Sequence, residues 1–451
     1  MSTRLLPADA VWYFGENAGN PMMVSSIFWL DREIDPLELR EVLRTRLVAP
    51  HPAFRQRIVP SSNRLSLPHW EDDPEFDIDR HLDVSRLPAP GDHATLEAWC
   101  SHQRSTPLDR HRPLWKLHLI QGYRGDRSAV HVRVHHSIGD GWALGRLLLT
   151  LVDEAEVHDI RLADDPMRSV TNGAVRTVGR VAAAAPSMLR HPSRLVDHAT
   201  TAAELVTCGL KLLFPTPLPR TVLMGHPTGE KRMVWDPDGI PLDEIRAVGR
   251  PTGATINDVL LATLAGALGR FLDQEDSSTH DVMVMVPVSL RRPDEPLPRR
   301  LGNKLGLLPV ALPVDITDPA ARLAEVNRRT CALKGSPAPV VSWALLGATA
   351  LTTPVVERGI HLVNQAFSTG VVTNVPGPRD AVHLCGGRIE GMLGWGGMTA
   401  HLNLSWAFFS LDGRVFSGAV TDAGITPEPG RILALFQDEW QHYRQGVAAA
   451  V

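Results

Sequence analysis

A pair of adjacent histidines, His135 and His136, concentrates the chemistry that this sequence offers. Asp140 follows four residues after the second histidine and lies between Gly139 and Gly141. A histidine has an ordinary pKa of about 6.5, so its neutral ring can accept a proton near neutrality. An aspartate at this spacing can orient a histidine or pin the loop to an arginine. The glycines permit tight or left-handed turns and leave room for a ligand beside the backbone.

Strand periodicity separates the roles of the two histidines. Residues 129–136 alternate as a strand does, with Val130, Val132 and Val134 on one face and His131, Arg133 and His135 on the other. His136 shares the face of the valines, so we expect it to point inward and to act as a base in a water-poor channel, where burial keeps it neutral. His135 is expected to support the loop by hydrogen bonding. The alternative interpretation is an ordinary core histidine.

A metal site is not predicted from this pair. Neighbouring strand residues point to opposite faces, so two adjacent histidines splay apart. No HExxH pattern or third-ligand cluster accompanies them in the sequence.

Strands and helices alternate on both sides of the histidine loop. Leucines at helical spacing predict a helix over 142–154, so the loop connects a strand to a helix. Before it we expect a strand at 24–30 and a helix at 36–47 capped by Asp35. The second half predicts helices at 257–272 and 319–333, strands at 281–287 and 306–312, and a hairpin of 404–411 and 415–420 around Asp412-Gly413.

The composition is that of a globular protein without a basic field. The 451 residues are 43% hydrophobic and 21% charged, with a net charge of −4, so a nucleic-acid partner is not expected. The widely spaced cysteines predict reduced thiols and an intracellular setting (Cys100, Cys208, Cys331 and Cys385). No apolar run of about eighteen residues occurs. We therefore expect a cytoplasmic protein, with association at the surface of the inner membrane or of lipid droplets left open.

A change of character near the middle divides the chain. The segment from Arg168 to Arg220 contains seven Arg or Lys residues and two acidic residues, an excess of five positive charges. We interpret residues 164–220 as a helical crossover between an N-terminal domain, 1–163, and a C-terminal domain, 221–451. The crossover is either a solvated linker or a contact for anionic lipid. The expected fold class is α/β (α+β), with mixed sheets and helices in each half.

Motifs along the whole chain add a resemblance. His-His-x-x-x-Asp-Gly is the signature of the CoA-dependent acyltransferase superfamily. Further motifs occur in the same order as in the bacterial wax ester synthase/acyl-CoA:diacylglycerol acyltransferase family. They are Glu16 before Asn20-Pro21-Met22, Pro113-Leu114-Trp115, Thr255-Ile256-Asn257-Asp258, Pro287 to Arg291 before Gly302-Asn303, and Asn374 to Pro378. The sequence therefore resembles that family over its full length.

The resemblance implies a fold and a mechanism. Each half would be a chloramphenicol-acetyltransferase-like domain, and His136 would be the general base that activates an acceptor hydroxyl towards an acyl-CoA. Acyl-CoA and a diacylglycerol or fatty alcohol would be the partners, with acyl-CoA as substrate and no cofactor. Asp140 would pair with Arg291 as loop support, and Asn257 would be needed for activity, unless it is only a helix cap.

Two further roles are assigned to polar residues. Glu16 and Asn403 are candidates for substrate binding, and Asn403 and Ser405 are candidates for the oxyanion donor that acyl transfer requires. Two other functions stay open. One is an acyltransferase or condensation enzyme that takes its acyl group from a carrier protein, and the other is a non-catalytic lipid-surface binding protein anchored by the basic segment.

Overall fold

The computed structural model describes residues 3–63, 66–153, 208–209, 218–292, 295–333, 336–349, 368–398 and 402–450. Almost all of the predicted crossover, 164–220, lies outside these residues. Its helical character and its proposed contact with lipid therefore stay predictions.

The strands of the described residues are numbered along the chain. They are β1 (Thr3–Arg4), β2 (Met23–Leu30), β3 (Gln56–Val59), β4 (His69–Asp72), β5 (Leu82–Arg86), β6 (Trp115–Tyr123), β7 (Arg127–His135), β8 (Lys231–Trp235), β9 (Ile240–Pro241), β10 (Asp281–Ser289), β11 (Leu305–Pro313), β12 (Gly370–Val375), β13 (His383–Leu384), β14 (Gly387–Trp395), β15 (Leu404–Leu411) and β16 (Arg414–Asp422).

The α-helices of the same residues are α1 (Pro7–Gly15), α2 (Pro36–Val42), α3 (His93–Ser105), α4 (Gly141–Leu148), α5 (Leu242–Gly249), α6 (Ile256–Gln274), α7 (Pro319–Leu333), α8 (Ala338–Thr349) and α9 (Pro429–Ala450). A π-helical turn, Leu43–Val48, continues α2, and short 3-10 turns occur at Pro52–Phe54, Ile78–Arg80 and Arg250–Thr252.

The sheet that carries the histidine loop has the order β13-β14-β2-β7-β6-β5. β7 lies between β2 and β6 and pairs with both in antiparallel register. Its valine face packs into the core beneath α4, where Leu144 and Leu147 are also buried. The opposite face carries His131, Arg133 and His135. Both faces are buried, so the alternation separates apolar from polar environments, not core from solvent.

The second large sheet has the order β11-β10-β12-β15-β16-β8, with β9 paired to β16. Helix α6 lies against one face of it and is buried along most of its length, because its apolar residues cover nearly the whole circumference. A small sheet, β1-β4-β3, flanks the N-terminal half.

One strand crosses between the halves. β14 belongs to the C-terminal half of the sequence, yet it pairs with β2 in the N-terminal sheet, Trp395 opposite Ser25. The first sheet is therefore not built from residues 1–163 alone. The predicted boundaries do not give the composition of the sheets, because the exchange of β14 is a long-range pairing without a local signal. The boundaries themselves stay a prediction.

Most predicted elements are confirmed within a few residues. Asp35 caps α2, Thr255 and Asp258 form a capping box on α6, and the hairpin turns at Asp412-Gly413 with positive φ at both residues. Helix α4 ends at Leu148, earlier than the predicted 154.

No single helix among the described residues is long and apolar enough to cross a membrane. The bent pair Leu242–Thr252 and Ile256–Gln274 reaches that length and composition only together.

Candidate active site

His136 follows the last residue of β7 and is held by its backbone. Its N–H donates to the carbonyl of Met22 at 2.7 Å, which extends the pairing of β7 with β2 by one residue. The side chain is 6% exposed. The prediction that His136 points inward is confirmed.

The ring of His136 is oriented by Asn303. Nδ1 of His136 lies 2.9 Å from Oδ1 of Asn303, while Nδ2 of Asn303 donates to the His136 carbonyl and to Oδ1 of Asp9, each at 2.8 Å. Because both partners of Nδ2 are acceptors, the amide oxygen must face the ring, and Nδ1 must be the donor. Nε2 therefore carries the lone pair and is the basic atom.

Asp9 completes a chain of three polar groups behind the ring. Its carboxylate accepts hydrogen bonds from the backbone N–H and the side-chain amide of Asn303, both at 2.8 Å. Burial raises the pKa of the Asp9 carboxyl to about 7, although the bonds from Asn303 lower it. A carboxyl that ionises near neutrality can support a positive charge on the ring of His136 through Asn303.

Trp12 closes one side of the ring of His136. The ring centroids lie 3.8 Å apart with an interplanar angle of 16°. Asp9 and Trp12 lie three residues apart on α1, so one face of this helix supplies both contacts. Burial lowers the pKa of His136 to about 4, against the bonds from its own backbone and Asn303. The ring is therefore neutral, and able to accept a proton, at physiological pH.

His135 supports the loop, as predicted. The backbone N–H of Ser137 donates to Nδ1 of His135 at 3.1 Å, and Oγ of Ser137 lies 2.7 Å from the same nitrogen. Nδ1 is thus an acceptor, and Nε2 carries the proton and faces Oε1 of Glu16 at 3.7 Å. Burial lowers the pKa of His135 well below its ordinary value.

Asp140 anchors the loop away from the imidazole of His136. Its carboxylate caps α4 through the N–H of Ala143 and accepts from the N–H of Lys304, both at 2.8 Å. Arg291 lies 3.8 Å from it, so the predicted pairing is confirmed as an ion pair. Arg291 is itself buried and donates to the carbonyls of Leu301 and Gly302. The two side chains thus tie the histidine loop to the segment that carries Asn303.

The loop glycines were expected to permit tight or left-handed turns, and the structure has a tight turn, in which the N–H of Ile138 donates to the His135 carbonyl at 3.0 Å. Neither Gly139 nor Gly141 is among the glycines with positive φ. A Cβ on Gly139 would lie 2.9 Å from Cβ of Leu301, so this glycine allows the close approach of the two loop segments. Gly141 is the exposed first residue of α4, and a Cβ there would meet nothing within 4 Å.

Asn257 lies on α6 and is not its cap, since Thr255 fills that position. Its Oδ1 accepts from Nδ2 of Asn374 at 3.3 Å. Asn374 shares a face of β12 with Val372, which packs into the core beside α6. These contacts place Asn257 in the helix layer behind the second sheet, and its importance for activity stays a prediction.

The two candidates for substrate binding, Glu16 and Asn403, make hydrogen bonds within the protein. Glu16 accepts from Nε of Arg110 at 3.0 Å and from the N–H of Met22 at 3.3 Å. Asn403 bridges the Thr426 hydroxyl and the Asp422 N–H, each at 2.8 Å. Through these hydrogen bonds, Glu16 and Asn403 each support a local turn.

Three residues at the site were missed by sequence reasoning, namely Asp9, Trp12 and the side chain of Asn303. Asn303 was noted only as part of a motif. The available signal was the three-residue spacing of Asp9 and Trp12, which places both on one face if the segment is helical. Among the described residues, no group of His, Cys, Asp or Glu has a geometry that could hold a metal ion.

The structure thus holds a buried histidine between the end of β7 and the segment that carries Asn303, with its Nε2 on the side of the ring away from Asn303. The catalytic-domain model of the wax ester synthase/diacylglycerol acyltransferase family matches residues 5–260, and the model of that family's C-terminal domain matches residues 301–443. The chain belongs to this family.

Relatives cover nearly all of the chain. The probable diacylglycerol O-acyltransferase tgs2 of Mycobacterium tuberculosis is 28% identical over 98% of this chain and 99% of its own. A second M. tuberculosis protein, named as a putative diacylglycerol O-acyltransferase, is 30% identical over 85% of this chain and 87% of its own. The relatives support an acyltransferase activity.

Solved structures show the same fold. The wax ester synthase/diacylglycerol acyltransferase from Marinobacter aquaeolei VT8 has a TM-score of 0.70 at 23% identity, over 99% of this chain and 100% of its own. The first condensation domain of the calcium-dependent antibiotic synthetase has a TM-score of 0.61 at 18% identity, over 99% and 96%. The expected fold class is confirmed.

Proposed function

We propose that this protein transfers a long-chain acyl group from acyl-CoA to the hydroxyl of a diacylglycerol or a fatty alcohol, with His136 as the general base. One observation carries the proposal. Because Nδ1 of His136 donates its proton to Asn303, the lone pair of the neutral ring is on Nε2, on the side away from Asn303. A general base needs this tautomer, since Nε2 can then accept a proton.

The reaction proceeds without an acyl-enzyme. Nε2 of His136 takes the proton of the acceptor hydroxyl while its oxygen attacks the thioester carbonyl, and a tetrahedral oxyanion forms. When the carbon–sulfur bond breaks, the imidazolium returns the proton to the CoA sulfur. The products are the ester and free CoA, and His136 is again neutral.

The groups behind the ring fit this proton cycle. The imidazolium exists only between the two steps, and an ionised Asp9 would stabilise it through Asn303. Stacking on Trp12 keeps the ring plane fixed while its charge changes.

The description of the matching family supports lipid substrates with long alkyl chains. Two small apolar voids lie beneath α4, one lined in part by Val132, Val134, Leu144 and Leu147 and the other in part by Phe28 and Met392. Their volumes of about 20 Å³ and 10 Å³ correspond to about one water molecule each, so they do not by themselves hold an alkyl chain.

The test is an assay of the purified protein with palmitoyl-CoA and either hexadecanol or dioleoylglycerol. We expect CoA release and ester formation in equal amounts, and loss of both in His136→Ala. His131→Ala is the matched control, because His131 is buried on the same strand but faces the other side. Equal activity of wild type and His136→Ala would overturn the assignment of the base. Ester formation only from carrier-bound acyl groups would replace acyl-CoA as the donor.

A further inference from the structure

The guanidinium of Arg104 is buried behind the histidine loop. Arg104 lies on α3 and is 1% exposed. Its Nη1 donates to the Met23 carbonyl at 2.5 Å and to Oγ of Ser25 at 2.7 Å, and its Nη2 donates to the Gly396 carbonyl at 2.9 Å. All three acceptors are neutral. Buried charges are normally paired with an opposite charge, so a buried guanidinium with three neutral acceptors is unusual.

The two carbonyls that Arg104 holds are next to the two backbone segments that flank His136. Met23 follows Met22, whose carbonyl accepts from the N–H of His136. Gly396 precedes Gly397, where an added Cβ would lie 3.5 Å from Cδ2 of His136. Cδ2 is bonded to Nε2, so this second segment borders the side of the ring on which the substrates must react.

The charge of Arg104 also reaches the site. It contributes to the lowered pKa of His136, after the effect of burial. Arg133 and Lys231 also lie close to Arg104, and Lys231 is paired with Asp422 at 2.9 Å. His131, on the same face of the sheet as Arg133, is also buried, and burial lowers its pKa well below the ordinary value. Among the described residues, no carboxylate pairs with Arg104, so its own charge has no direct counterpart.

We propose that Arg104 is a positioning residue for acyl transfer. It holds the ends of β2 and β14 against the two sides of His136, and its uncompensated charge stabilises the negative charge that develops on the thioester oxygen. This proposal rests on the proposed function for its kinetic consequence, but the coupling of Arg104 to His136 is a property of the folded protein.

The variants Arg104→Met and Arg104→Lys test the proposal. Arg322→Met is the control in the other half, since Arg322 is almost as buried and also donates to backbone carbonyls, those of Ala262 and Ile316. Unlike Arg104, it is also paired with a carboxylate, that of Glu439. We expect Arg104→Met to lower kcat by about 10²-fold with little change in KM, as misplacement of a reacting group does. Arg104→Lys should retain part of kcat, because it keeps the charge but cannot reach both carbonyls. Arg322→Met should lose thermal stability and keep kcat.

An NMR titration of the histidine rings measures the pKa of His136 and does not depend on enzyme turnover. The His136 resonance, assigned by its absence in His136→Ala, should titrate at higher pH in Arg104→Met, because removal of a nearby cation favours the imidazolium. If the wild type makes no ester, the proposed function fails while this shift still tests the coupling. An unchanged His136 pKa, or equal losses of kcat in Arg104→Met and Arg322→Met, would overturn the role of Arg104. If Arg104→Met does not fold, full kcat in Arg104→Lys would do so.

Discussion

His136 donates from Nδ1 to Oδ1 of Asn303 at 2.9 Å, across 167 residues of sequence. The general base of the proposed reaction is thus oriented by an amide from the other half of the chain. Asp140, which lies close to His136 in sequence, has no part in this bond, because its carboxylate is used to cap α4 and to hold Lys304.

Replacement of Asn303 by Ala should separate orientation from stability. Without the amide oxygen, Nδ1 loses its acceptor and the ring loses its preference for the reactive tautomer, so kcat should fall by about 10²-fold. Steady-state kinetics with both acceptors would measure this. Asn303→Asp is the companion variant, since it keeps an acceptor for Nδ1. Wild-type kcat in Asn303→Ala would show that the ring needs no such partner.

Asp9 predicts a pH dependence of the reaction. Its pKa is raised to about 7, so the carboxylate becomes available to support the imidazolium as pH rises through that value. We expect kcat to increase across this range in the wild type. In Asp9→Asn the increase should be absent and kcat should be lower at alkaline pH. The measurement is a pH profile of kcat, and an unchanged profile in Asp9→Asn would contradict the role of this carboxyl.

Asp9 and His136 should affect stability in opposite directions between about pH 4 and 6.5. The native Asp9 binds its proton more tightly than the unfolded chain does, so its contribution is present at low pH and is lost as pH rises towards 7. The native His136 has a pKa of about 4, below its unfolded value of about 6.5, so its contribution is lost as pH falls. Denaturant titrations should therefore show a steeper rise of stability with pH in Asp9→Asn than in wild type. A shallower rise would contradict these shifts.

Asp140 variants should act on folding before chemistry. Asp140→Ala removes the cap of α4, at a cost of about 1–2 kcal/mol, and leaves the buried Arg291 with Glu295, at 3.2 Å, as its remaining ion-pair partner. Asp140→Asn keeps a capping oxygen and should be less damaging. Thermal unfolding and the fraction of active protein should fall together. A loss of kcat at full stability would instead place Asp140 in the reaction.

A side chain at position 397 should obstruct the space beside the His136 ring. A methyl group there would touch Cδ2 of His136 at 3.5 Å, an ordinary contact that folding tolerates, but it would occupy space beside Nε2. Gly397→Ala should reduce kcat/KM with little loss of stability. Gly141→Ala is the control, because its methyl group meets nothing within 4 Å. Equal kinetics for the two variants would show that the substrates approach from elsewhere.

The sequence by itself determined the elements around the site and singled out His136 as the base of the proposed reaction. The two-residue period of β7 placed His136 on the valine face, and the caps of α2 and α6 and the turn at Asp412-Gly413 followed from side-chain chemistry a few residues away. These features depend on local interactions, so local spacing predicts them. The order of the motifs carried the family resemblance for the same reason.

Only the tertiary structure decided which groups surround His136. Asn303 and Asp9 meet across 294 residues, and Arg104 reaches Gly396 across 292. β14 joins the sheet of the other half. Such contacts depend on how complete sheets and helices pack, and a sequence spacing of hundreds of residues carries no period that could predict them. Packing therefore turned Asp140 into a loop anchor and gave the orientation of the base to Asn303.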